Sequence, residues 1–351
     1  MKYMSRIVWG VAAWLTFTPV SASQSLAFFE QLLAFETYYA QQLGEQQRCS
    51  SVSLQEVKFC SALLRDEGNS PYLLHHGKPT EVVVTLFHGF SDSPFYLRSI
   101  AKQLHEAGFT VVVALVPGHG LKNADSDMQD ELLSQRWMQH VDDIMALSAN
   151  YGENQYVGGA SSGAALATLY SLQNPAGADG LLLFSGALAL ANNAEQLSRI
   201  WGMQTIAKWL DGDYVTEGDN PYRYPEISLF AVYELMEVIR SIRNELENRG
   251  ADITTFVAHS AADLTAPYVG VEDFLALNQA AHTTLLIDEQ YALCHSHLTL
   301  DNAQVSAIDF PDPGETIVDA CLIPRANPLH GHMMAMLINF IQQNHKSIKA
   351  E

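Results

Sequence analysis

The segment Gly159-Ala160-Ser161-Ser162-Gly163 constrains this chain more than any other. It places Gly-x-Ser-x-Gly between a strand-like run ending at Val157-Gly158 and the helix-forming run 164–172, which is closed by Asn174-Pro175. A serine at such a junction sits on a sharp strand-to-helix turn. Its hydroxyl is exposed there, and the next backbone N–H is open to an oxyanion. Small residues on both sides suit a turn that brings two backbones close together.

Around this point short apolar runs alternate with amphipathic ones. Strand-like runs fall at 81–87, 110–115, 154–159, 180–185, 253–258 and 283–288. Helix-like runs fall at about 94–107, 133–150, 161–173, 269–279 and 332–344. Such alternation predicts a mostly parallel sheet covered by helices on both faces.

Three segments occur in order along this frame: His88-Gly89-Phe90, Pro117-Gly118-His119-Gly120 and Gly159-Ala-Ser-Ser-Gly163. On them the chain resembles the α/β-hydrolase family, and within it the monoglyceride lipase and bacterial carboxylesterase branch, over about residues 71–345. The resemblance implies an α/β-hydrolase domain over 71–351, with a helical cap inserted at about 186–252. That interval separates two strands by far more than one crossover needs, and long insertions usually carry function. Its apolar stretches, 200–210 and 229–242, flank Asn220-Pro-Tyr-Arg-Tyr-Pro225.

A serine nucleophile needs a base, and the base needs an orienting acid. In this family the chain order is Ser, then Asp or Glu, then His. Asp263 fits the acid, because it lies in the loop after the strand at 254–259 and ahead of Pro267. No carboxylate follows the preceding strand at Ser185. Candidates for the base are His295, His297, His330 and His332. We take His295, which follows the last strand within seven residues; His330 and His332 stand instead at the entry to the closing helix. The oxyanion donors expected are the backbone N–H groups of Phe90 and Ser162, with Pro117-Gly-His-Gly120 a structural loop. Two His-x-His pairs raise a zinc reading, but no three-ligand set or zincin motif accompanies them, so no metal or cofactor is expected.

The start of the chain is basic, with Lys2 and Arg6, and runs through 14 mostly apolar residues (7–20) to Ser21-Ala22-Ser23. That pattern predicts a signal peptide over 1–23, too short to span a membrane, and an exported protein, periplasmic or secreted. A formal charge of −20 suits neither nucleic acid nor anionic membrane surfaces. Export lets the four cysteines form two disulfides in any of three connectivities; the simplest joins neighbours, Cys49–Cys60 and Cys294–Cys321. Residues 24–70 read as a helical extension, with Leu26, Phe29, Leu32 and Leu33 as its apolar positions. The function implied is cleavage of acyl esters or lipid-like substrates through an acyl-enzyme on Ser161. A peptidase or acyltransferase on the same scaffold, or a non-catalytic binding protein, stands as the alternative.

Overall fold

The structure is a computed structural model and describes residues 22–50, 53–191, 195, 203–311 and 319–348. The leader expected over 1–23 lies outside these residues but for its last two.

Eight strands build the main sheet among the described residues. They are β1 (Glu56–Lys58), β2 (Tyr72–Leu74), β3 (Thr80–Phe87), β4 (Thr110–Ala114), β5 (Gly152–Ala160), β6 (Gly180–Phe184), β7 (Thr255–Ser260) and β8 (His282–Ile287). Their order is β8-β7-β6-β5-β3-β4-β2-β1. From β8 to β4 every pairing is parallel; β2 runs antiparallel to β4, and β1 antiparallel to β2. The central strands are covered on both faces. This is why Val82, Val83, Val84, Leu86 and Phe87 are all buried and the run shows no polar alternation. Neither β1 nor β2 is anticipated from sequence: each is three residues long, and β1 is Glu-Val-Lys, too short for a period to show.

Nine helices of seven residues or more flank the sheet among the described residues. We label them α1 (Ala22–Leu43), α2 (Arg98–Glu106), α3 (Leu133–Ser148), α4 (Ser162–Gln173), α5 (Met203–Asp211), α6 (Leu229–Arg249), α7 (Val269–Leu277), α8 (Asn302–Ile308) and α9 (His330–Ile348). The extension helix α1 buries Phe28, Phe35, Tyr39 and Leu43, with Leu32 packed beside them. This stripe has helical spacing and includes Leu32 of the expected positions. Leu33 points to solvent, and the side chains of Leu26 and Phe29 lie outside the described residues. Burying each such side chain contributes about 1.5–3 kcal/mol, so α1 is part of the core rather than a loose tail.

In the interval expected as the cap, α6 packs on α4 and α3. Leu235, Met236, Ile239, Ile242 and Leu246 are buried in the main core. The second half of the interval is therefore the crossover helix from β6 to β7. Among the described residues the excursion over the sheet's carboxyl edge comes from α5 and the segment 212–228.

The bonded cysteines are Cys49–Cys60 and Cys294–Cys321. Among the described residues no helix is long and apolar enough to cross a membrane.

Candidate active site

β5 delivers Ser161 to the sheet's carboxyl edge, where the chain reverses into α4. Ser161 holds φ 52° and ψ −119°, a conformation that a residue with a side chain seldom adopts. Neighbouring bonds hold it there: its N–H donates to the Phe184 carbonyl (3.0 Å), and its carbonyl accepts from Ala164 (3.1 Å) and Ala187 (3.1 Å). The turn allows no bulk beside it. A Cβ on Gly159 would stand 2.3 Å from the Phe87 oxygen, and one on Gly163 would stand 2.1 Å from the same atom. Both contacts are with backbone, which cannot step aside, so both positions must be glycine.

Asp263 sits in the turn after β7 and is buried. Its Oδ1 accepts from the N–H groups of Thr265 and Ala266, both at 3.0 Å. Its Oδ2 lies 2.6 Å from His295 Nδ1, and His295 Nε2 lies 2.7 Å from Ser161 Oγ. An ionised carboxylate only accepts, so Nδ1 carries the proton and Nε2 is free to accept the serine's. Burial pushes the Asp263 carboxyl up, but the electrostatic pull of the His295 ring, its bond to that ring and the Ala266 N–H outweigh it, and its pKa is lowered overall. His259 on β7 adds a further contact. Its Nε2–H donates to the Ala266 carbonyl (2.9 Å) and stands 3.5 Å from Asp263 Oδ2. Burial holds this imidazole below its ordinary pKa, hence neutral.

The remaining histidine candidates stand elsewhere. His297 is buried two residues beyond His295, its pKa lowered to about 4 chiefly by burial. His330 begins α9 with Nδ1 3.4 Å from Gln103 Nε2, and His332 is exposed. Of the four, the structure brings His295 to Ser161. The disulfide from Cys294 to Cys321 anchors the loop immediately ahead of His295.

Phe90 follows Gly89, which packs against Ser161, and Ser162 directly follows the serine. Ser162 is the first residue of α4, so its N–H has no partner within the helix. Neither its amide nor that of Phe90 meets an acceptor among the described residues. The turn carrying Phe90 is fixed by buried His88, whose Nδ1–H donates to the Gly89 carbonyl (2.8 Å) and whose Nε2 accepts from Val116 N–H (3.1 Å). Burial drives the pKa of His88 well down, so it serves this bracket as a neutral ring. Sequence reading passes over two charged groups here, Asp92 and Arg223. A Cβ on Gly89 would stand 2.8 Å from Asp92 Oδ2 and 3.2 Å from Ser161 Cβ, which puts the carboxylate near Ser161. Asp92 pairs with Arg223 Nε at 3.3 Å. Burial raises the pKa of Asp92, against the pull of Arg223 and His295. The signal for this pair is a carboxylate two residues after Phe90 and a lone cation within Asn220-Pro-Tyr-Arg-Tyr-Pro225.

The sheet order, the strained Ser161 turn and the loops gathered at its carboxyl edge define an α/β-hydrolase. Residues 78–296 match the family model Hydrolase_4, described as serine aminopeptidase, S33, and the chain belongs to that family. No curated protein is similar enough to match the chain. Among solved structures, it is similar to one reported under LipS and LipT, two metagenome-derived lipolytic enzymes. That likeness has 19% identity over 69% of this chain and 95% of the other, with a TM-score of 0.53. A monoacylglycerol lipase of Paleococcus ferrophilus is 18% identical over 77% of this chain and 99% of its own, at TM-score 0.51. A thermostable carboxyl esterase from Bacillus coagulans is 15% identical over 84% of this chain and all (100%) of its own, at 0.50. At such identities the likeness is one of fold.

Proposed function

We propose that this protein is an exported serine hydrolase that cleaves carboxylic acyl esters, in the manner of a carboxylesterase or monoacylglycerol lipase. The observation that carries the reading is the unbroken hydrogen-bonded line Asp263–His295–Ser161, with 2.6 and 2.7 Å contacts. His295 Nε2 takes the proton of Ser161 as Oγ attacks the ester carbonyl carbon. The carbonyl oxygen becomes an oxyanion facing the N–H groups of Phe90 and Ser162. One such donor is worth about 3 kcal/mol in the transition state. Collapse expels the alcohol, which takes the proton from His295, and leaves an acyl group on Ser161. Water, activated by the same imidazole, then releases the acid. Asp263 keeps His295 in the tautomer that each step needs.

Export is supported by the basic and apolar start of the chain and by the two disulfides. Solved relatives of like fold include proteins described as lipases and esterases. The same triad can attack an amide, which the family description as an aminopeptidase brings into view. A panel of p-nitrophenyl acyl esters beside aminoacyl anilides decides between the two. Turnover of esters with labelling of Ser161 by a fluorophosphonate is expected. Anilide turnover exceeding ester turnover moves the assignment to a peptidase, and an unlabelled serine removes the hydrolase reading.

A further inference from the structure

We propose that Arg65 and Asn69 of the N-terminal extension are positioning residues for the oxyanion hole, acting through segment 220–224. This rests on the hydrolase reading above and gives the extension a part in the reaction.

A continuous run of bonds carries it. Arg65 donates from Nη1 to the Arg223 carbonyl (2.8 Å) and from Nη2 to the Asn220 carbonyl (3.1 Å). Asn69, fully buried, donates from Nδ2 to the Pro221 carbonyl (3.0 Å). The ring of Tyr222 stacks on Phe95 at 3.7 Å. It also presses on Gly68, where a Cβ would meet its Cε1 at 2.4 Å. Asn220 Nδ2 donates to the Tyr96 hydroxyl (2.8 Å). The extension is itself tied to the main domain, Arg65 N–H to the Gly120 carbonyl (2.9 Å) and Lys122 N–H to the Leu63 carbonyl (2.8 Å).

The other side of the segment meets the oxyanion turn. Tyr224 N–H donates to the Ser91 carbonyl (2.8 Å), and Arg223 Nε pairs with Asp92. Ser91 holds φ 61°, a left-handed conformation unfavourable for serine, and so must be held by its surroundings. It directly follows Phe90, the amide donor. The extension therefore grips the carbonyls of the segment, and the segment grips the strained turn that aims Phe90. Hydrogen bonds to an oxyanion act chiefly in the transition state, so a displaced donor lowers kcat and leaves substrate binding nearly unchanged.

The test uses the full chain with Arg65→Met, and with Gly68→Ala as a second variant that displaces Tyr222 by adding only a methyl group. Active sites are counted by fluorophosphonate labelling to completion. For p-nitrophenyl butyrate, kcat per labelled site and KM are then measured, together with inhibition by a trifluoromethyl ketone that forms a tetrahedral adduct. We expect kcat per site to fall on the order of 10- to 100-fold in each variant, with KM within about twofold. The ketone should weaken in parallel, and Arg65→Lys should recover part of the loss by replacing one of the two bonds. Unchanged kcat per site, with only fewer sites or a lower Tm, overturns the proposal and leaves the extension a purely structural element. Wild-type protein that takes no label overturns the hydrolase reading instead, so the two failures are distinct.

Discussion

Asp263→Asn tests the orienting role through one proton. The two oxygens of Asp263 have different partners: Oδ1 accepts from two backbone N–H groups, and Oδ2 from His295 Nδ1–H. The asparagine must choose which side keeps an oxygen. Turning its NH2 toward Thr265 and Ala266 would set donor against donor, and the N–H of buried Ala266, left unsatisfied, would cost about 1–3 kcal/mol. The oxygen therefore stays with the amides, and the NH2 faces His295. His295 Nδ1 must then accept, its proton moves to Nε2, and the ring presents N–H to Ser161 Oγ where a lone pair is needed. The variant should keep its fold and its KM while kcat falls by about 10⁴ through the wrong tautomer. Stopped-assay turnover of p-nitrophenyl butyrate at pH 7.5 (roughly a pH unit above an ordinary histidine pKa), with Tm as a folding control, measures this. A loss of less than about tenfold would mean that Asp263 does not set the state of His295.

Further expectations concern the same groups. Ser161→Ala should abolish ester hydrolysis, and Ser162→Ala should change it little, since only the backbone N–H of Ser162 is used; comparable losses of kcat would undo the elbow assignment. His295→Ala should cost on the order of 10³ or more in kcat, while His332→Ala stays active; the reverse pattern moves the base to α9. Buried His119 has its pKa lowered to about 4 by burial, so the unfolded chain binds its proton first as pH falls below the ordinary histidine value. Its stabilising contribution is whole above about pH 6.5 and shrinks as pH falls through the folded value, a loss of about 2 kcal/mol by pH 5. Urea unfolding at pH 7 and 5 measures it, and a His119→Asn variant with a pH dependence as steep as wild type refutes it. Reducing Cys294–Cys321 should lower kcat several-fold by loosening His295, and full activity after complete reduction would show that the bridge plays no part in placing the base.

The central fold is legible because its strands are long, apolar and separated by helix-length intervals. Ser161, Asp263 and His295 are legible as candidates because each lies in the loop after a particular strand, in a fixed chain order. What is not legible is held through space. Asp92 and Arg223 are 131 positions apart, and nothing in either neighbourhood announces a pairing at 3.3 Å. His259 sits inside a strand whose apolar neighbours give no hint of a contact with Asp263. The cap is overestimated for a physical reason: Leu229 to Ile242 has an amphipathic pattern that fits a lid helix and a sheet-covering crossover helix equally well. On α1 the aromatic residues 28, 35 and 39 set the buried face, which takes Leu32 of the two adjacent leucines and leaves Leu33 in solvent.

The short antiparallel strands at one end of the sheet have a consequence for solubility. Tyr72–Leu74 is wholly buried and apolar, and its outer ladder is satisfied by Glu56–Lys58 from the extension. That outermost strand is three residues long and carries a glutamate and a lysine, with Glu56 further engaged by Arg98. A terminus so short and charged offers little template to a passing chain. A chain cut after the first disulfide loop would instead present an open, greasy edge with unpaired amides. Its fate would be self-association through that edge, so proteolytic nicking near residue 65 followed by release of the cut segment should register as turbidity together with a lowered Tm, because the core residues of α1 leave with it.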